Sequence, residues 1–163
     1  MGKHVLFICT GNTCRSPLAE VLARHMFGHL GIRFGSAGLH PPAAQGASPG
    51  SLAFASGLGL SLADHLSRPV AVDELAGTAW VIGMTRSHAA IFKSRFGGYY
   101  HGGIGVLGAA GVDLAMLRNS PPVEEVDDPF GQSEETYHST GRQIQRLLES
   151  WGPVFEKLGK AES

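Results

Sequence analysis

A thiol, Cys9, and a guanidinium, Arg15, frame the segment Cys-Thr-Gly-Asn-Thr-Cys-Arg-Ser-Pro of residues 9–17. The segment follows an apolar run, Val5-Leu6-Phe7-Ile8, and ends on Pro17, whose fixed φ suits the first turn of a helix. A loop in that place turns backbone N–H groups toward a helix N-terminus, which is a ready anion site. The same dipole, together with Arg15, sets positive charge beside Cys9, the surroundings in which a cysteine serves as a thiolate nucleophile. The planar fork of Arg15 suits two oxygens of a phosphate-like group, and Ser16 is placed to donate its hydroxyl to the sulfur. Gly11 and Asn12 can take the positive φ that a tight loop needs. Together these residue types allow covalent phosphoryl transfer: in-line attack by Cys9, a cysteinyl-phosphate, and its hydrolysis by water, with Arg15 on the equatorial oxygens. The plainer alternative, a buried structural cysteine beside a surface arginine, leaves the position between strand and proline-started helix unexplained.

Cys14 shares the loop and has two readings. It can form a reversible disulfide with Cys9 that protects the nucleophile from over-oxidation, or it can simply fill space behind the loop. Phosphoryl transfer also needs a proton donor for the leaving group. Asp127-Asp128-Pro129-Phe130-Gly131 offers carboxylates on a rigid turn, and Pro129 biases Asp128 toward an extended conformation. By composition alone that stretch reads as an ordinary turn. The eight histidines have no metal-ligand spacing, and His25 and His29 lack further ligands, so neither a metal nor a cofactor is expected.

The elements that must position these groups alternate between strand and helix. Strands are expected at Lys3–Ile8, Ile32–Ala37, Trp80–Met84 and, more weakly, Ile104–Leu107. Helices are expected at 17–30, from Pro49 to Leu58 with Ser48 as cap, at Ser87–Phe96, and at about 134–150 with Ser133 as cap. Residues 39–47 and the glycine-rich 97–124 read as irregular, and Tyr99-Tyr100 as packing at a strand end. The pattern predicts an α/β fold: a doubly wound, mainly parallel four-stranded sheet with helices on both faces.

The chain of 163 residues is expected to form a single domain over 1–163. Its 43% apolar and 17% charged residues are ordinary for a soluble protein, and a net charge of −1 makes no case for binding nucleic acid or an anionic membrane. No apolar run has the length of a spanning helix, and the N-terminus leads straight into a strand without room for a signal peptide. Two cysteines in one loop cannot staple the fold, so a cytoplasmic protein is expected.

With Cys9-x5-Arg15-Ser16-Pro17 near the N-terminus, Ser36-Ala37-Gly38 after the second strand and Asp128-Pro129 before the last helix, the chain resembles the low-molecular-weight protein-tyrosine phosphatases. The resemblance runs from the first strand to about residue 156. It implies Cys9 as nucleophile, Arg15 as phosphate ligand and Asp128 as general acid and then base. It implies phosphate binding by Thr10, Gly11, Asn12, Thr13, Cys14 and Arg15 through their amides, with Ser16 beside them. It also implies that Ser36 and His65 help Asn12 hold the loop's shape. Within the family, the loop and the later Asp-Pro-Phe-Gly-x-Ser resemble the bacterial protein-arginine phosphatases. Thr13 stands where tyrosine phosphatases usually carry a β-branched aliphatic residue, and Phe130 is followed by Gly131 rather than a second aromatic. Thr13, Asp127 and Phe130 are therefore the expected substrate-recognition residues, and phosphorylated proteins the expected partners. The alternatives are a protein-tyrosine phosphatase and, from another class, a catalytically silent phosphopeptide-binding module. An arsenate reductase of this fold would need cysteines beyond Cys14, and the chain has none.

Overall fold

The run after Lys3 forms β1 (His4–Cys9), every residue of it buried, as a strand covered on both faces must be. The computed structural model describes residues 2–161. In chain order β1 is followed by α1 (Arg15–Phe27), β2 (Arg33–Gly38), α2 (Pro49–Gly57), β3 (Thr78–Gly83), α3 (Arg86–Phe96), β4 (Gly103–Val106), α4 (Glu134–Ser150) and α5 (Gly152–Lys160). The four strands form one parallel sheet in the order β2-β1-β3-β4. Successive connections leave β1 in opposite directions, to β2 and then to β3. That makes the carboxyl end of β1 a topological switch point, where open α/β sheets bind ligands.

Alternation along β1 divides the core into two layers. Val5, Phe7 and Cys9 face Leu18 and Leu22 of α1, Phe54 of α2, Ile144 and Leu148 of α4 and Phe155 of α5. Leu6 and Ile8 face the other way, with Val81, Ala89 and Phe92, so that α3 covers the second face. Tyr100 is buried at the end of this layer and its hydroxyl donates to the Gly103 carbonyl at 3.0 Å.

Several boundaries depart from expectation. Helix α1 begins at Arg15, two residues before Pro17, which spends its missing N–H among the orphan amides of the first turn. It stops at Phe27; Gly28–Leu30 tighten into a 3-10 turn that Gly31 ends with φ +74°. Helix α5 lies beyond the last helix expected, which ended at about residue 150. Pro153 sits in its first turn, after a single linking residue, Trp151. Trp151 and Phe155 are wholly buried and stack at 5.7 Å between ring centroids. Ser48 occupies the cap position of α2, but its hydroxyl donates to Ser51 Oγ rather than accepting a backbone N–H. Ser133 does cap α4, accepting from the Thr136 N–H at 3.2 Å.

Candidate active site

Residues 9–15 connect the end of β1 to α1, and the direction of their carbonyls decides what the loop can bind. The Cys9 and Thr10 carbonyls accept from the N–H groups of Leu39 and His40, both at 2.9 Å, and that of Thr13 from Ser48 N–H at 2.9 Å. The Asn12 carbonyl accepts from His65 Nε2–H at 2.7 Å, and that of Cys14 from Ser51 Oγ at 3.1 Å. In a trans peptide the N–H of the next residue points opposite to the carbonyl. Five carbonyls tied outward therefore aim the N–H groups of Thr10, Gly11, Thr13, Cys14 and Arg15 into the loop's concave side.

Asn12 makes the curve possible. It alone in the loop has positive φ, +55°, whereas Gly11, also expected there, does not. Its side-chain amide is fully used: Nδ2 donates to Ser16 Oγ at 2.9 Å and Ser36 Oγ at 3.0 Å, and Oδ1 accepts from Arg68 N–H at 3.1 Å. Ser36 in turn donates to Glu20 Oε1 at 2.6 Å. Gly38 lets β2 come this close, since a Cβ there would lie 2.8 Å from the Thr10 carbonyl oxygen.

Cys9 Sγ sits at the centre of the loop, 3.0 Å from Ser16 Oγ and 3.3 Å from the Asn12 N–H. Because Ser16 Oγ accepts from Asn12, its own proton is free to point at the sulfur. Ser16, expected beside the phosphate-binding amides, is wholly buried and outside the cleft lining, with its hydroxyl against the Cys9 sulfur. Cys14 is buried as well, with its sulfur 3.5 Å from the Tyr137 hydroxyl and both thiols free.

Arg15 is 6% exposed. Its Nη1 donates to the Val126 carbonyl at 2.9 Å, Nη2 lies 3.8 Å from Asp128 Oδ2, and Nε has no partner among the described residues. Val126 is itself pinned to the end of β3, its N–H donating to the Met84 carbonyl at 3.1 Å. The acid turn thus begins from a fixed point. Asp128 Oδ1 accepts from the Phe130 N–H at 3.0 Å, and Gly131 closes the turn at φ +76°. Asp127, expected to recognise substrate, is exposed and outside the cleft lining, which Asp128 joins. The cleft, about 260 Å³, is floored by residues 9–15 and walled by Pro42, Gln45, Asp128 and Phe130.

His88 is a residue that sequence reasoning missed. It stands in the first turn of α3, its Nδ1 accepting from Thr85 N–H at 3.2 Å, which leaves Nε2–H to donate to Thr10 Oγ1 at 3.1 Å. Burial, reinforced by the Arg15 guanidinium and opposed by Asp128, pushes its pKa down to about 4, so the ring is a neutral clamp. A histidine five positions past the end of β3 was the available signal. Glu20 and the Arg68 backbone gave none, acting only through Ser36 and Asn12.

A thiol in an amide cradle, with a guanidinium and a carboxylate at its rim, is the arrangement of hydrolases that act on phosphorylated groups through sulfur. Residues 4–163 match the family model described as low molecular weight phosphotyrosine protein phosphatase. The chain belongs to that family, whose members are hydrolases of phosphorylated protein residues. It is 29% identical to the protein-arginine-phosphatase of Bacillus subtilis over 94% of this chain and 97% of that one. It is 30% identical to the low molecular weight protein-tyrosine-phosphatase PtpB of Staphylococcus epidermidis, covering 89% of this chain and 94% of that one. Among solved structures, a cysteine-to-serine mutant of the YwlE arginine phosphatase with a phosphorylated active-site serine superposes with a TM-score of 0.75. The two chains are 26% identical, with 98% of this chain and 97% of that one covered. No helix of the described residues is long and apolar enough to cross a membrane.

Proposed function

We propose that this phosphatase hydrolyses phosphoarginine residues of proteins, with Cys9 as nucleophile, Arg15 as phosphate ligand and Asp128 as general acid and base. The phosphate sits in the cleft with its oxygens on the inward amides and on the edge of Arg15 that carries Nε, which has no partner among the described residues, and Nη2. The Cys9 thiolate attacks phosphorus in line, forming the S–P bond as the P–N bond to the guanidine breaks. Asp128 gives its proton to the departing nitrogen, which leaves as a neutral guanidine and becomes guanidinium in water. The Asp128 carboxylate then takes a proton from water as that water's oxygen attacks phosphorus. The S–P bond breaks, phosphate departs and the thiolate returns with Ser16 Oγ–H on the sulfur. Asn12, Ser36, His65 and His88 do no chemistry; they hold the amides in place.

The observation that carries the arginine reading is the position of Thr13. Thr13 lines the cleft, and its hydroxyl has only Cys14 Sγ, at 3.7 Å, as a partner among the described residues. A polar group on the cleft floor suits a planar, many-donor guanidinium better than a phenyl ring. The likeness to the Bacillus enzyme named for arginine supports the same reading. The rival reading, a tyrosine phosphatase, is favoured by Phe130, 66% exposed and presenting a flat apolar wall. The deciding measurement is kcat/KM on matched phosphoarginine and phosphotyrosine peptides for the wild type and Thr13→Ile. The wild type should prefer phosphoarginine and the variant should lose that preference by about tenfold or more, as expected when a polar contact is removed from a specificity site. Wild-type activity that is equal or higher on phosphotyrosine overturns the arginine assignment.

A further inference from the structure

Beside the catalytic cleft lies a second groove, about 540 Å³, between α2 and the turn that follows Asp128. The two share one residue: Phe130 walls the cleft on one side and the groove on the other. The groove's floor is apolar and low. It is made by Gly50, Ala53 and the ring of Tyr137, which lies so close to α2 that a Cβ on Gly50 would come within 2.2 Å of Tyr137 Cγ. At the far rim stands Glu134, the single charged residue of the lining. Glu134 is exposed and forms no ion pair among the described residues, and Glu135 next to it adds the same sign.

We infer that this groove is a substrate subsite that takes a long basic side chain, lysine or arginine, flanking the phosphorylated residue of a protein substrate. The inference rests on the catalytic reading of residues 9–15, but not on which amino acid carries the phosphate. Continuity with the cleft through Phe130 makes the occupant part of the same polypeptide. In an extended peptide, side chains on one face recur about every 7 Å, close to the width of one intervening aromatic ring. The chemistry of the groove then selects the side chain. Its apolar floor accepts a methylene stem and its far rim offers a carboxylate to the cation at the end, which is the division of an amphipathic lysine or arginine. An acidic flanking residue meets like charge on Glu134.

The test uses synthetic peptides with the phosphorylated residue fixed, as phosphoarginine in one set and phosphotyrosine in the other, and Lys, Leu, Ala or Glu at each flanking position. Wild type should hydrolyse the best-placed Lys peptide roughly three- to fivefold more efficiently than the Ala one, through KM, and the Glu one less well still, the modest size reflecting an exposed pair. The preference should shrink as salt is raised. Glu134→Gln should abolish it and Glu134→Lys reverse it, while Ala53→Trp, which fills the floor without altering charge, should level the series. All three variants should hydrolyse p-nitrophenyl phosphate, which does not reach the groove, at the wild-type rate. A flat wild-type series overturns the inference, as does a Lys preference that survives both substitutions at Glu134. A Leu peptide outrunning the Lys peptide shows an apolar subsite and overturns the basic occupant. Failure of the arginine assignment reads differently: phosphotyrosine peptides are then faster throughout, with the flanking pattern intact.

Discussion

At the scale of single residues, the site rests on side chains whose hydrogen bonds leave them no choice of partner. Asn12 spends both amide protons and its carbonyl oxygen on the scaffold, and so Ser16 can turn its own proton only toward Cys9. The proposed roles separate in kinetics. With p-nitrophenyl phosphate, whose leaving group needs no proton, Asp128→Ala should form the cysteinyl-phosphate but hydrolyse it slowly. Rapid-quench kinetics should then show a burst approaching one equivalent of nitrophenolate per enzyme, with a steady-state rate lowered by about 10²–10⁴-fold. No burst, with unchanged turnover, would remove Asp128 from the hydrolytic step. The spacing of Cys9 and Arg15 was legible because it lies within one loop and in residue types with distinctive chemistry. His88 and Arg68 were not, because each meets the loop directly but from far along the chain, and Glu20 was not, because it acts on the loop only through Ser36. The choice of Asp128 over Asp127 as the acid came from the resemblance, while the hydrogen bond from Phe130 N–H that closes the turn on Asp128 left no mark in the sequence.

At the scale of elements, the strands and the longer helices followed from apolar periodicity, and the errors fell where glycine and proline allow two outcomes. Gly152-Pro153 starts a helix rather than ending one, because Trp151 keeps helical backbone angles (φ −83°, ψ −7°) and carries the chain directly from α4 into α5. The end of β2 is the most demanding junction. Gly38 donates its N–H to the Arg68 carbonyl at 2.8 Å while its missing side chain makes room for Thr10 and Pro41. Gly38→Ala should push β2 away from the loop. Its overpacking should cost about 1–3 kcal/mol in urea titration. On p-nitrophenyl phosphate kcat should fall as well, with far-UV circular dichroism unchanged. A variant with full kcat would show that the loop does not depend on this contact.

At the scale of the whole molecule, two buried histidines tie stability to pH. His88 is held down to about 4 from 6.5, chiefly by burial. Burial also lowers His4, whose Nδ1 lies 3.0 Å from the Arg33 carbonyl between β1 and β2. The unfolded chain protonates both near their ordinary value, so it binds more protons than the folded chain in that interval. Their contribution is complete above about pH 6.5 and is lost as pH falls below it, that of His88 down to about 4. Urea midpoints should therefore drop between pH 7 and pH 5, and His88→Asn should flatten part of the slope. A midpoint independent of pH over that range would contradict the buried, neutral rings.

The contact between Arg15 and the Val126 carbonyl spans 111 positions of the chain. The signature Cys-x5-Arg is complete once the first fifteen residues exist, yet nothing holds the guanidinium until Val126 has packed against the end of β3. During synthesis, therefore, the thiol emerges early while its anion cradle is finished late. A chain that stops short of Val126 carries the motif in full and lacks both the anchor of its arginine and the carboxylate of Asp128. The finished cradle is in this sense a readout of synthesis past residue 128.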